Sequence, residues 1–226
     1  MKSICKVYFF GVLAVTVLSC SGKESTQEEK AEIKPSEESM EVTFQKIDLG
    51  LNQKSAWKSH WSAIAGELSI TDFEWVFTDS IDPMEMPEKN PILPNDPLFP
   101  YQFPHPEGNG SIDIYSYKVE AQDGLEKPYL NPDSEVIWYR ADGMKERLLF
   151  MGPSGMFEDG LWLSPSEFLV MGYFQEEEGY RPMLWLIRTD THMLSQFKLK
   201  KVVGAYSPES YLSRRLGSVD LSSDAN

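Results

Sequence analysis

Cysteine is nearly absent from this chain of 226 residues: there are two, Cys5 and Cys20. Two thiols exclude a disulfide-stapled scaffold and a four-thiolate zinc site. Histidine is almost as scarce, with His60, His105 and His192 too scattered for a metal pair on one helix or strand. Positive charge is in short supply as well. Lys and Arg number 21 against 35 Asp and Glu, a formal charge of −14, which argues against nucleic acid as a partner because phosphate backbones need clustered bases. Catalytic signatures are also missing. Gly152-Pro153-Ser154-Gly155 lacks the glycine spacing of a nucleophile elbow and reads as a turn. Glu176-Glu177-Glu178 reads as a solvated hairpin tip, since neighbours on an extended chain point apart. No catalytic residue, cofactor site or metal site is therefore assigned. Paired carboxylates brought together from distant strands would leave no local trace.

What is present is a core. Apolar residues make up 41% and aromatic residues 12% of the chain, well above disordered composition. The N-terminus is organised differently from the rest. Lys2 and Lys6 precede an apolar run from Val7 to Leu18. About a dozen residues is short for a ~30 Å hydrocarbon core and has the shape of a secretory signal peptide, with a short membrane anchor as the alternative.

Val17-Leu18-Ser19-Cys20 closes that run. It resembles the lipobox of bacterial lipoproteins, which has an aliphatic residue, a small residue before the cut, and an obligatory cysteine. The resemblance covers residues 1–20 only and says nothing of fold. It implies cleavage after residue 19 and lipidation of Cys20 by acyl chains such as palmitate. Membrane lipid would then be the first partner, and the bacterial cell envelope the location. Several acyl chains make anchoring stable where one is marginal. Ser21, rather than Asp, resembles lipoproteins sent to the outer membrane. Leu18 departs from the commoner small residue, and an ordinary signal peptide with a coincidental cysteine is the rival reading.

After residues 1–19 as signal peptide, residues 20–41 read as a disordered acidic tether. Between Ser21 and Glu41 only Ile33 and Met40 are large and apolar, too few to offset ordering entropy. A charged, exposed helix is the other reading of this stretch. Residues 42–226 then form a single domain. Val42, Phe44 and Ile47 alternate as a short strand; Trp57, Trp61, Ile64, Ala65 and Leu68 share one face of a helix ending near Gly66. Phe73–Phe77 follows as a strand. Eight of the 15 prolines fall between Pro83 and Pro106, so residues 82–110 read as a long loop that packs back on the domain or serves as a binding loop.

Short strands fill the remainder: Ser111–Val119, Glu135–Arg140 and Glu146–Met151, the last two joined at Asp142-Gly143. After a loop from Gly152 to Gly160 come Leu161–Leu163, Glu167–Phe174, Pro182–Arg188 and Met193–Leu199. A short helix capped by Ser207, with Pro208 in its first turn, closes the chain. The predicted fold class is mainly β, built of antiparallel meander sheets in a sandwich or propeller-blade-like layout, with one N-terminal helix and a short C-terminal helix. The four strands of Leu161–Leu199 loosely resemble one propeller blade in layout, and Phe73–Phe77 with the three strands after it groups as a second. Trp75, Trp138, Trp162 and Trp185, with Tyr115, Tyr139, Tyr173 and Tyr180, are expected to fill the core, the alternative being exposed rings that stack on sugars. Functionally the expectation is a lipid-anchored binding or assembly module with a protein or glycan partner. A glycan- or envelope-directed hydrolase and a structural accessory subunit of an outer-membrane complex are the alternatives.

Overall fold

The computed structural model describes residues 35–120 and 129–217. The signal peptide, Cys20 and the tether as far as residue 34 lie outside the described residues. Two five-stranded antiparallel sheets and three helices make up the domain, and neither sheet closes into a barrel.

Helix α1 (Glu37–Gln53) stands where a tether end and a strand are expected from the sequence. Alternation over Val42–Ile47 is a local accident. The stripe that decides is Thr43, Ile47, Gly50 and Leu51, spaced for one helix face and buried. Ser36 caps the N-terminus by accepting from Ser39 N at 3.2 Å, and Glu37 and Glu38 complement the helix dipole. The disordered tether therefore cannot extend through residues 37–41. After a break at Lys54, helix α2 (Ser55–Ala65) ends at Gly66 in a positive-φ conformation, as its sequence indicates. Its buried face is Trp57, His60, Trp61 and Ala65, while Ile64, expected on the same face, is exposed.

Strand β1 (Phe73–Ser80) leads to β2 (Met84–Pro87) and β3 (Phe103–Pro104), both inside the proline-rich stretch and both at the edges of one sheet. Edges are where proline's missing donor is tolerated. Ser111–Val119 is shorter in strand than expected: β4 (Ser111–Asp113) ends at a turn in which Asp113 accepts from Tyr115 N and Ser116 N, before β5 (Val119–Glu120) pairs with β6 (Tyr129–Leu130). Then come β7 (Ser134–Tyr139) and β8 (Met144–Met151), joined by a hairpin with Gly143 at φ 88°. Residues 152–160, expected as loop, contribute the first six of the ten residues of β9 (Gly155–Ser164). Strands β10 (Glu167–Glu176), β11 (Gly179–Arg188) and β12 (Met193–Leu199) complete the meander. Helix α3 (Ser210–Arg215) starts three residues after Ser207, which does not cap it with its side chain.

The sheet orders are β1-β12-β11-β10-β9 and β2-β8-β7-β4-β3. Strand β1 thus leaves the group to which sequence order assigns it and pairs with β12, matching Phe73 with Leu199 and Trp75 with Phe197. A helix layer covers one face of the first sheet: Phe44 meets Phe197 at 5.5 Å and Trp61 meets Tyr173 at 6.2 Å. Gly50 lets α1 approach, since a Cβ there would lie 2.6 Å from Leu163 Cδ2. The second sheet covers the opposite face, with Phe103 against Phe168 at 5.4 Å and Trp138 against Trp162 at 6.2 Å. His192, in the β11–β12 turn, reaches across to the buried Glu146 of β8 at 3.1 Å, and Arg140 pairs with the same carboxylate at 2.5 Å.

Candidate functional site: a buried acidic pair and an open groove

Glu158 and Asp159 are consecutive on β9, yet both enter the layer between the first sheet and its helices. Regular pleating would send them to opposite faces. A bulge removes that constraint: Asp159 pairs with Met171 and Phe157 with Gly172, leaving Glu158 as the extra residue. Gly172 makes the bulge possible, because a Cβ there would fall 2.0 Å from Met156 O. Phe157 keeps the opposite face, edge-on to Trp185 at 5.0 Å.

The Glu158 carboxyl is fully buried. Its Oε2 accepts from Trp57 Nε1 and Trp61 Nε1, each at 2.8 Å, and its Oε1 accepts from Tyr206 OH at 2.5 Å. The Asp159 carboxylate takes Lys54 Nζ at 2.8 Å and Tyr211 OH at 2.5 Å, with Arg215 Nε at 3.9 Å. Tyr115 OH donates to the Glu158 backbone carbonyl at 3.0 Å. The side-chain donors that reach the two carboxyl groups all lie outside the sheet that carries the acids. Lys54, Trp57 and Trp61 come from the N-terminal helices, and Tyr206, Tyr211 and Arg215 from the C-terminal segment.

Electrostatics follow from burial. Loss of hydration pushes the Glu158 carboxyl up from 4.5 to about 7, against the pull of its three donors, and the neighbouring Asp159 charge pushes the same way. Burial also raises the phenols of Tyr206 and Tyr211 far above their ordinary value, helped by the carboxylates beside them, so both rings keep their protons and act as donors. His60 is lowered by burial and by Arg214, and its Nε2 lies 3.1 Å from Tyr206 OH and 3.4 Å from Ser210 Oγ.

The second feature is an open groove of about 580 Å³ between the N-terminal half of α1 and the edge strand β1. Met40, Phe44, Ile70 and Trp75 form apolar walls, and Glu37, Glu41 and Asp48 also line it, with no Lys or Arg among the lining residues. Neither Glu158 nor Asp159 borders this groove.

The aromatic residues singled out in the sequence sit in the core, as the packing reading requires: Trp138, Trp185, Tyr115, Tyr139 and Tyr173 are buried, and Trp75, Trp162 and Tyr180 pack against them partly buried. His105 stacks near Trp138 at 6.0 Å and bonds Pro165 O at 2.7 Å, so the three histidines occupy three separate places. Glu176, at the hairpin tip, is held by Arg181 at 2.5 Å. Among the described residues no group of three or more His, Cys, Asp or Glu is placed to hold a metal ion, and no helix is long and apolar enough to cross a membrane. Sequence reasoning missed the acidic pair. Its one signal was a Glu-Asp dipeptide, with Gly160, embedded between Met156-Phe157 and Leu161-Trp162, inside a segment that glycine and proline marked as loop. No family model, curated protein or solved structure matches the chain.

Proposed function

We propose that this protein is a bacterial lipoprotein, acylated at Cys20 and held at the envelope, most simply the outer membrane, where its β domain serves as a binding or assembly module. Val17-Leu18-Ser19-Cys20 carries the anchoring part of the reading. Growth of the bacterium with a labelled fatty-acid analogue is expected to label the wild-type chain and leave Cys20→Ala unlabelled. Equal labelling of the two would refute it.

The groove beside α1 supports the binding part. Apolar walls with three carboxylates and no base complement an extended segment of a protein partner in which apolar side chains alternate with Lys or Arg. A synthetic peptide alternating Val or Leu with Lys is expected to bind and to shift Trp75 fluorescence, while its Glu counterpart does not. Glu41→Lys, exposed on α1, is expected to weaken that binding about tenfold, a coupling of ~1.4 kcal/mol. Equal binding of both peptides, or none, overturns this choice of partner. The hydrolase alternative requires a carboxylate pair on the wall of a cleft. Glu158 and Asp159 offer none, because their oxygens are enclosed by donors.

A further inference from the structure

The hydrogen bonds at Glu158 are divided unevenly between its two oxygens. Both indoles are on Oε2, at 2.8 Å each, and indole N–H can only donate. Oε1 has the single partner Tyr206 OH, a group that both donates and accepts. A proton added to this carboxyl therefore has one place to go. On Oε2 it would collide with two donors. On Oε1 it faces a hydroxyl able to turn round and accept it.

Tyr206 in turn has somewhere to send its own hydrogen. His60 Nε2 lies 3.1 Å from Tyr206 OH, and a neutral imidazole nitrogen accepts as readily as its protonated form donates. His60 stays neutral near pH 7 because burial and Arg214 both lower it. The far ring nitrogen is left for exchange: among the described residues no hydrogen bond engages His60 Nδ1, on a residue that keeps 5% of its surface exposed.

We infer that Glu158, Tyr206 and His60 form a reversible proton relay, in which protonation of the buried carboxyl reverses both hydrogen bonds and is read out as a change of His60 tautomer. With Glu158 ionised, His60 Nε2–H donates to Tyr206, which donates to Oε1. In the uptake step a proton from water binds His60 Nδ1. The Nε2 proton passes to the Tyr206 oxygen, and the Tyr206 proton passes to Oε1. One proton has entered, one O–H bond has formed on Glu158, and His60 is neutral again with its hydrogen on Nδ1 and Nε2 now accepting. The chain stays hydrogen-bonded in both states, and the two indole bonds are untouched.

Other charged or titratable groups packed around the relay do not share this reversal. Asp159 on the same strand is held by Lys54, Tyr211 and Arg215, all donors toward it. Tyr115, Tyr173 and Tyr211 are raised by burial and keep their protons; Arg214, on α3, lowers His60; and Glu209 adds its charge beside Tyr173. The device is independent of Cys20 and of the groove. It makes Tyr206 and the C-terminal segment that carries it responsive to proton uptake near neutrality.

The test is imidazole nitrogen NMR of the full-length chain between about pH 5 and 8. In the wild type, His60 Nε2 is expected to pass from pyrrole-type at the alkaline end to pyridine-type at the acid end, with the midpoint matching the appearance of the protonated Glu158 carbonyl band in the infrared. Glu158→Gln places an amide N–H at the Oε1 position and is expected to lock Nε2 as pyridine-type at every pH. Tyr206→Phe cuts the relay: the Glu158 band still titrates but His60 no longer follows it. A His60 tautomer that stays constant in the wild type, or that tracks pH equally well in Tyr206→Phe, overturns the inference. Should Glu158→Gln fail to fold, the comparison of wild type with Tyr206→Phe decides alone.

Discussion

Glu158 is a carboxyl that the fold has both desolvated and supplied with donors, and its cost and its use come from the same geometry. An isolated buried charge would be prohibitive, whereas one with three short charge-assisted bonds is tolerable. Its folded value of about 7 lies above its ordinary 4.5, so the folded chain binds the proton more tightly than the unfolded chain. The associated stability is complete below about pH 4.5 and is lost as pH rises through about 7. Integrated over that window it amounts to about 3 kcal/mol. Glu158→Gln, which cannot ionise, should lack this slope. In urea titrations the wild type is expected to lose stability relative to Glu158→Gln between pH 5 and 8, and parallel curves would contradict the assignment. Glu158→Ala removes the acceptor of three buried donors and is expected to cost about 2–4 kcal/mol at the acid end of that range, the cost shrinking as pH rises through about 7 because Ala lacks the same slope.

At the scale of elements, the bulge in β9 is the device on which the acidic layer depends. It exists because Gly172 lets the Met156 carbonyl come close. Gly172→Ala puts a methyl group 2.0 Å from that oxygen, a backbone contact that no rotamer change relieves. The β9–β10 ladder must then shift and carry Glu158 away from Trp57 and Trp61. The expected result is a loss of about 2 kcal/mol or more and a change in the near-ultraviolet dichroism of those indoles. The same element shows why parts of the sequence were legible and others not. Strands β10, β11 and β12 and the β7–β8 hairpin announce themselves through apolar runs separated by strong turns. β9 does not, because Gly152, Pro153, Gly155 and Gly160 are turn residues in any local reading; across the ladder, Gly155 and Gly160 are sites of close approach to Tyr173 O and to the Phe168 ring. Helix α1 was hidden for the reverse reason. Its six central residues alternate like a strand, and only the longer stripe ending at Leu51 reveals the helical period.

At the scale of the whole domain, the N-terminal helices and the segment after β12 meet on one strand. Lys54, Trp57 and Trp61 approach Glu158 and Asp159 from about a hundred residues earlier in the sequence, and Tyr206, Tyr211 and Arg215 from about fifty residues later. The segment after Leu199 is thus part of the fold. Lys201 Nζ caps α2 at Ala65 O at 2.5 Å, and Tyr180 and Val203 exchange backbone bonds of 2.8 and 2.9 Å. Ending the chain at Leu199 uncovers Trp61, which stacks on Tyr206 at 4.2 Å, and deletes the buried Tyr211 and Leu212. Two such deletions, at about 2–5 kcal/mol each, equal the stability of an ordinary domain. The truncated chain is expected to unfold without a cooperative thermal transition, and a sharp transition near the wild-type midpoint would contradict this account.

The amino-acid sequence by itself determined the mainly β class, most strand positions, the α2 helix and the aromatic core, because these rest on periodicity and turn chemistry that act over a few residues. It also contains the lipobox-like run before Cys20, a local pattern outside the described residues. The acidic pair, the transfer of β1 to the first sheet and the meeting of the N-terminal helices with the C-terminal segment were decided only by tertiary structure. Each depends on groups far apart in sequence, and on a single bulge whose one-residue shift turns Glu158 and Asp159 toward the same donors.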